Sequence, residues 1–353
     1  MENKGSKLTK LLDLGEFGLI DHLTKDLKIK NKSSVKGVGD DAAVIEPDPG
    51  KQLLVTKDLL VEGIHFDITY MPLKHLGYKA AVVNFSDIAA MNGIPTQMVV
   101  GIAVSSKYSV EALEEVYSGL KKACEMYHVD FVGGDTTSSI AGLFISITVI
   151  GEVDKGKITY RRGASPNDLI CVSGDLGAAY MGLLILEREK KAFSASPGIQ
   201  PELSGYNYLL GRQLKPEPRM DIIKLLDDKK IVPSSMIDIS DGLASELIHL
   251  CRSSGTGCRI DEEKIPIDQG TFDKANEFGI VPMVAALNGG EDYELLFTIC
   301  QDNYEKIREI ADVSIIGYMT KPDEGMNLVT HDNALIELKA QGWDALKKRE
   351  LDI

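Results

Sequence analysis

Cysteine is scarce in this sequence: five in 353 residues, an odd number, widely spaced and without a C-x-x-C pair. That excludes a disulfide framework and a thiolate zinc site, and it suits a reducing cytoplasm, where the protein is expected to reside. Histidine is also rare, at six, and no H-E-x-x-H pair occurs. Long apolar runs are missing. The most apolar stretch, Gly142 to Gly151, is far too short to span a membrane. The opening residues MENKGSKLTKLLDLGEF lack the apolar core of a secretory signal. Basic residues are in deficit, 39 against 53 acids, for a net charge of −14. Nucleic-acid binders and proteins seated on anionic membrane carry the opposite balance, so neither partner is expected.

What is present builds a globular protein. Hydrophobic residues make up 44% of a chain long enough for two cores, which excludes wholesale disorder. From Leu8 to Leu27 apolar residues recur at helical spacing around a break at Gly15. His75 to Met91 and Ser109 to Tyr127 predict helices, the second with Ser109 as N-cap. Leu53 to Thr56, Met98 to Val104, Val129 to Val132 and Leu143 to Ile150 predict strands. A polar connector at Gly163 to Asp168 sets a boundary near Arg162. The expected architecture is two domains of α+β or α/β class, residues 1–162 and 163–353. Beyond the boundary, Leu169 to Val172, Met236 to Ile239, Tyr293 to Ile299 and Val313 to Tyr318 read as strands. Gly177 to Glu189, Arg219 to Asp227 and Gly242 to Cys251 read as helices, and a hairpin turns at His331-Asp332-Asn333. Lys190 to Gly211, rich in Ser, Pro and Gly, reads as a mobile loop without a derivable role.

Four clusters join acids to glycines: Gly37 to Asp41, Gly133 to Thr137, Asp238 to Gly242 and Gly289 to Asp292. Asp58 follows a strand, and Asp87 lies three residues after Asn84, so those two side chains share a helix face. Mg²⁺ prefers oxygen ligands and is usually held by a few carboxylates plus substrate phosphates, and glycines let a backbone approach a phosphate. Taken singly, each Gly-Asp pair is equally a turn. Three alternatives fail on chemistry. Gly151 to Ile158 nearly matches a phosphate-binding P-loop but ends in Ile158, which has no hydroxyl for Mg²⁺. Gly37-Val-Gly39 would turn two aspartates toward a pyrophosphate. Asp238 and Asp241 are three apart, where aspartyl-phosphate phosphatases need two.

The chain resembles thiamine-monophosphate kinase, in the superfamily of aminoimidazole ribonucleotide synthetase and selenophosphate synthetase. The resemblance is collinear through Glu16-Phe17, GVGDDA (37–42), TKDLLVEGIHF (56–66), NFSDIAAMNG (84–93), GGDTT (133–137), YRRGA (160–164), KPEPR (215–219), DISDGL (238–243), GGEDYEL (289–295) and GW (342–343). Selenophosphate synthetase would carry a reactive cysteine near its N-terminus, whereas the first cysteine here is Cys124. The resemblance implies ATP-dependent phosphorylation of thiamine monophosphate, several Mg²⁺ ions and direct transfer without a phospho-enzyme. It also implies a homodimer pairing through N-terminal sheets and a C-terminal domain that closes the site.

By the same resemblance, Asp41, Asp58, Asp87, Asp135, Asp238 and Asp241 are metal ligands, with Thr56 and the Lys57 carbonyl as further oxygens. Lys57 stands where a second hydroxyl residue is common, and Asp40 either joins the site or organises its turn. Gly134, Asp135, Arg161 and Ser240 meet the nucleotide, Arg162 being the alternative arginine. His65, Glu291 and the sole tryptophan, Trp343, meet the substrate. No residue is expected to act as a catalytic base, because the acceptor phosphate is already anionic; Arg161 assists by charge. Two competing readings are another ATP-dependent synthetase of the superfamily and a non-catalytic divalent-ion-binding protein.

Overall fold

The computed structural model describes residues 8–196, 198 and 200–341. Within them the chain is mixed α/β and divides into two compact units. Met1–Ile158 and Leu214–Ile223 form one; Thr159–Gln213 and Lys224–Ile353 form the other.

The first unit runs α1 (Leu11–Thr24), β1 (Ser34–Lys36), β2 (Val44–Ile45), β3 (Lys51–Val61), α2 (Leu73–Ala90), β4 (Ile94–Val104), α3 (Val110–Tyr127), β5 (Asp130–Ser138) and β6 (Leu143–Asp154). Gly15 breaks α1 at φ 67°, where the periodicity breaks, and Ser109 caps α3 by accepting from the Ala112 N–H. Four strands form a sheet in the order β3-β6-β4-β5. Only β4 and β5 are parallel, as befits strands joined by a helical crossover, α3. Alternation along β6 buries Leu143, Ile145, Ile147 and Val149 on the inner face. α2 packs against β3, β4 and β6 and is buried nearly all round. Its crossing with α3 is glycine-tight: a Cβ on Gly77 would stand 1.9 Å from the Val116 carbonyl oxygen, and one on Gly119 1.9 Å from that of Lys74. The outer face of the sheet is different. Leu53, Val55 and Leu59 of β3 project there with 46, 68 and 52% of their surface exposed.

The excursion 214–223 carries the K-P-E-P-R motif and docks in the first unit through Glu217. Its carboxylate accepts from the Tyr78 and Tyr127 hydroxyls, while Lys215 pairs with it at 2.6 Å and lies 4.7 Å from the Tyr78 ring centre.

The second unit adds β7 (Leu169–Ser173), α4 (Ala178–Ala195), α5 (Asn207–Leu214, all but its last residue), the end of α6 (Met220–Asp228) from Lys224, β8 (Ser235–Asp238), α7 (Leu243–Ser254) and β9 (Gly257–Asp261). There follow α8 (Gln269–Glu277), α9 (Pro282–Asn288), β10 (Leu295–Ile299), α10 (Tyr304–Ile307), β11 (Val313–Thr320), β12 (Met326–Val329) and β13 (Leu335–Glu337). Seven strands order as β13-β12-β9-β11-β7-β10-β8, antiparallel except β12 with β9. The last hairpin turns through Asn333 at φ 63°.

Two expectations are corrected. The stretch read as a loop from Lys190 to Gly211 is partly helical: α4 continues to Ala195 and α5 begins at Asn207. Glu, Lys and Ala favour helix strongly enough to carry α4 past the point where its apolar period fades. Asp58 and the Gly133–Thr137 cluster lie inside β3 and β5, not at strand ends. Their strands run on because β6 and β4 offer ladder partners along the full length.

Candidate active site

In the first unit, β3 and α2 bring together four polar residues of the sequence motifs. Thr56 donates its hydroxyl to the Asp87 carboxylate. The Asp58 N–H donates to Asn84 Oδ1 at 3.1 Å, and Asn84 in turn donates to the Ala80 carbonyl. The three-residue step from Asn84 to Asp87 therefore turns both side chains toward β3, as the helical spacing predicts. Burial, and then the neighbouring Asp87 charge, push Asp58 up to about 6. Two carboxylates held this way fit a divalent cation, which would relieve both penalties and restore full ionisation. Strand alternation sends Lys57 the other way, and its ammonium reaches Ser146 on the outer sheet face.

The remaining members of this unit stand apart from that pair. Asp41 is exposed in the loop between β1 and β2, where Asp40 accepts from the Asp41 N–H at 3.0 Å and lies 4.0 Å from Lys36. Asp135 is exposed on β5. Gly134 has a structural demand of its own, since a Cβ there would meet the Val100 carbonyl oxygen at 2.2 Å, whereas at Gly133 the space is open. His65 accepts the Val61 N–H on Nδ1 at 3.1 Å. A neutral ring so engaged carries its proton on Nε2.

In the second unit, the DISDG and GGEDYE motifs interlock. The Glu291 N–H donates to the Ser240 carbonyl at 2.7 Å and the Tyr293 N–H to that of Ile239 at 2.9 Å. Gly290, at φ 73°, lies so close that a Cβ would meet the Ser240 carbonyl oxygen at 2.6 Å, and Gly242 likewise approaches Leu287. These glycines serve the contact between the two loops. Asp238 is buried at the end of β8. Burial raises the Asp241 carboxyl; His249 opposes the shift and Glu291 adds to it. Sequence reasoning missed Glu246, in the first turn of α7, which accepts the Asp241 N–H at 3.0 Å. Burial and the charges of Asp241 and Asp238 push Glu246 up to about 8, against the hydrogen bond from Asp241. Its only sequence signal is an acid in the first turn after Asp-Gly. Arg161 is exposed, and Arg162 lies 5.7 Å from the Tyr160 ring centre. Trp343 falls outside the described residues.

Among the described residues, no group of three or more His, Cys, Asp or Glu converges to hold a metal by protein ligands alone. A cavity of about 630 Å³, lined by residues of α1 and α3, contains none of these residues. No helix among the described residues is long and apolar enough to cross a membrane.

Residues 39–153 match the family model of AIR synthase related protein, N-terminal domain, which sets the class of this fold. The match narrows further over the whole chain. Thiamine-monophosphate kinase of Bacillus subtilis (strain 168) is 33% identical over 95% of this chain and 100% of its own length. That of Aquifex aeolicus (strain VF5) is 36% identical over 86% of this chain and 92% of its own. This chain belongs to the thiamine-monophosphate kinase family. A solved structure described as AaThiL complexed with AMPPCP and TMP is 34% identical, with a TM-score of 0.72 over 97% of this chain and 99% of that one. The hydrogenase maturation protein HypE in complex with ATP, 20% identical with a TM-score of 0.74 over 94% of this chain and 98% of that one, shares the fold.

Proposed function

We propose that this protein transfers the γ-phosphoryl group of ATP to thiamine monophosphate, releasing thiamine diphosphate and ADP. The observation that carries the reading is the Asp58–Asp87 carboxylate pair, braced by Asn84 and Thr56, in a chain matched to the family over 95% of its length. The solved relative complexed with AMPPCP and TMP supports the same pair of substrates. In-line attack by a phosphate oxygen of thiamine monophosphate needs no strong base, since that oxygen is already anionic. Asp58, Asp87 and Thr56 would hold one Mg²⁺ within the first unit, and Asp41, Asp135, the Lys57 carbonyl and, in the second unit, Asp238 and Asp241 are proposed as ligands of further ions. When bound, Mg²⁺ neutralises the polyphosphate charge that bare carboxylates would repel. Gly134 and Asp135 meet the nucleotide, Ser240 lies on the nucleotide side, and the Arg161 guanidinium offsets charge on its phosphates. His65 offers its Nε2–H to the substrate, and Glu291 accepts from the aminopyrimidine amine.

We further infer a homodimer in the cytoplasm. The apolar outer face at Leu53, Val55 and Leu59, flanked by the open edge of β3, supports self-association. Five free cysteines, four of them buried, suit a reducing compartment.

Asp58→Asn tests the reading. The change is isosteric and removes one of two crowded charges, so the melting temperature should hold or rise. Thiamine diphosphate formation should fall about a hundredfold or more, the scale of losing one transition-state charge contact. Unchanged turnover would contradict the assignment.

A further inference from the structure

The substrate loop of the second unit is strained and is held from outside. Glu291 and Tyr293 both adopt left-handed backbone, at φ 58° and 52°, which costs a side-chain-bearing residue about 1–2 kcal/mol each. Such conformations persist only where surrounding contacts over-determine them. Two consecutive residues of α5 supply those contacts. Gln213, buried, donates from Nε2 to Glu291 Oε2 at 2.7 Å. Arg212 pairs with Glu294 at 2.6 Å and lies 3.8 Å from Asp292 Oδ1, and it also donates to the Asp292 carbonyl at 3.3 Å and the Asp175 carbonyl at 3.0 Å.

The inward acids are fixed in turn. Asp292 is 1% exposed and accepts from the Gly177 and Ala179 N–H groups at the start of α4. Glu294, fully buried, accepts from the Ser173 hydroxyl, which itself accepts from the Leu295 N–H at 2.9 Å. Residues 292 and 294 therefore point into the unit, and Glu291, itself in left-handed backbone, turns its carboxylate to Gln213 instead. Its carboxylate direction is set by Gln213, and the loop's path by Arg212.

We propose that Arg212 and Gln213 are positioning residues for the reaction, aligning Glu291 for the amine of the substrate's aminopyrimidine ring. Neither touches substrate; both act through the 291–294 loop. The proposal rests on the reading of Glu291 as a substrate contact given above. A guanidinium is required because one planar fork serves two carboxylates and two carbonyls at once, which a lysine ammonium cannot reproduce.

The test is steady-state kinetics of Arg212→Lys, Gln213→Ala and Glu291→Gln, each with its melting temperature. The expected result is a KM for thiamine monophosphate raised about tenfold or more in all three, the scale of losing one charge-assisted hydrogen bond, with the KM for ATP moved less than about threefold. The double variant Gln213→Ala/Glu291→Gln should be no worse than Glu291→Gln alone, as expected for groups acting in series. Lower melting temperatures with both KM values unchanged would overturn the proposal, leaving the two residues a structural role only. Should Arg212→Lys not fold, Gln213→Ala decides, because it leaves the buried charges intact. A wild-type protein that makes no thiamine diphosphate, or a Glu291→Gln variant with an unchanged KM, would instead refute the underlying site reading.

Discussion

Glu111 shows what a single half-buried side chain can fix. Its two carboxylate oxygens accept the Thr9 N–H at 2.9 and 3.1 Å, tying the segment before α1 to the start of α3. A hydrogen bond with the Thr9 side chain, then its own helix backbone and the Thr9 amide, hold Glu111 down at about 2 against an ordinary 4.5. A depressed acid contributes fully above its unfolded value and loses the contribution as pH falls through the folded one. The Thr9 amide should thus stay protected from exchange at pH 4 and lose protection toward pH 2, and Glu111→Gln should abolish that dependence. A Glu111 midpoint near 4.5 by NMR would contradict it. Residues of this kind were partly legible in the sequence. Asn84 and Asp87 could be paired because three residues of helix return a side chain to the same face. Arg212 and Glu246 could not, because their partners lie 82 and 5 positions away across turns whose shape no local pattern encodes.

Helices of this protein were legible almost to the residue where a strong period coincided with a cap, as at Ser109. Strand lengths were not. β3 and β5 carry charged and glycine residues that read as turns, and only their neighbours in the sheet keep them extended. The glycines at the α2–α3 crossing were also silent, since a glycine in a helix shows no sign of what lies opposite it. Gly77→Ala would place a methyl against the Val116 carbonyl oxygen. It should destabilise the fold by about 1–3 kcal/mol in urea unfolding, despite the better helix propensity of alanine. A gain in stability would mean that the two helices do not cross this closely.

At the scale of the whole molecule, composition separated an acidic enzyme from a nucleic-acid binder, and motif order led to the family. Nine acids in or beside the proposed site (Asp40, Asp41, Asp58, Asp87, Asp135, Asp238, Asp241, Glu291 and Asp292) account for most of the excess of 53 acids over 39 bases. Composition alone did not reveal that K-P-E-P-R docks through Glu217, because prolines flanked by charges look like a connector wherever they go. The outer face of the first sheet carries its own prediction. Val55→Asp puts an acid among Leu53, Val55 and Leu59, beside Lys57, so light scattering should show a dimer for the wild type and a monomer for the variant. A wild-type monomer would refute the dimer. The central claim is tested most directly by product identity. The purified protein, given Mg²⁺, ATP and thiamine monophosphate, should form thiamine diphosphate and ADP in equal amounts, and chelation of the metal should stop both. No thiamine diphosphate, with turnover of an aminoimidazole precursor instead, would contradict the account.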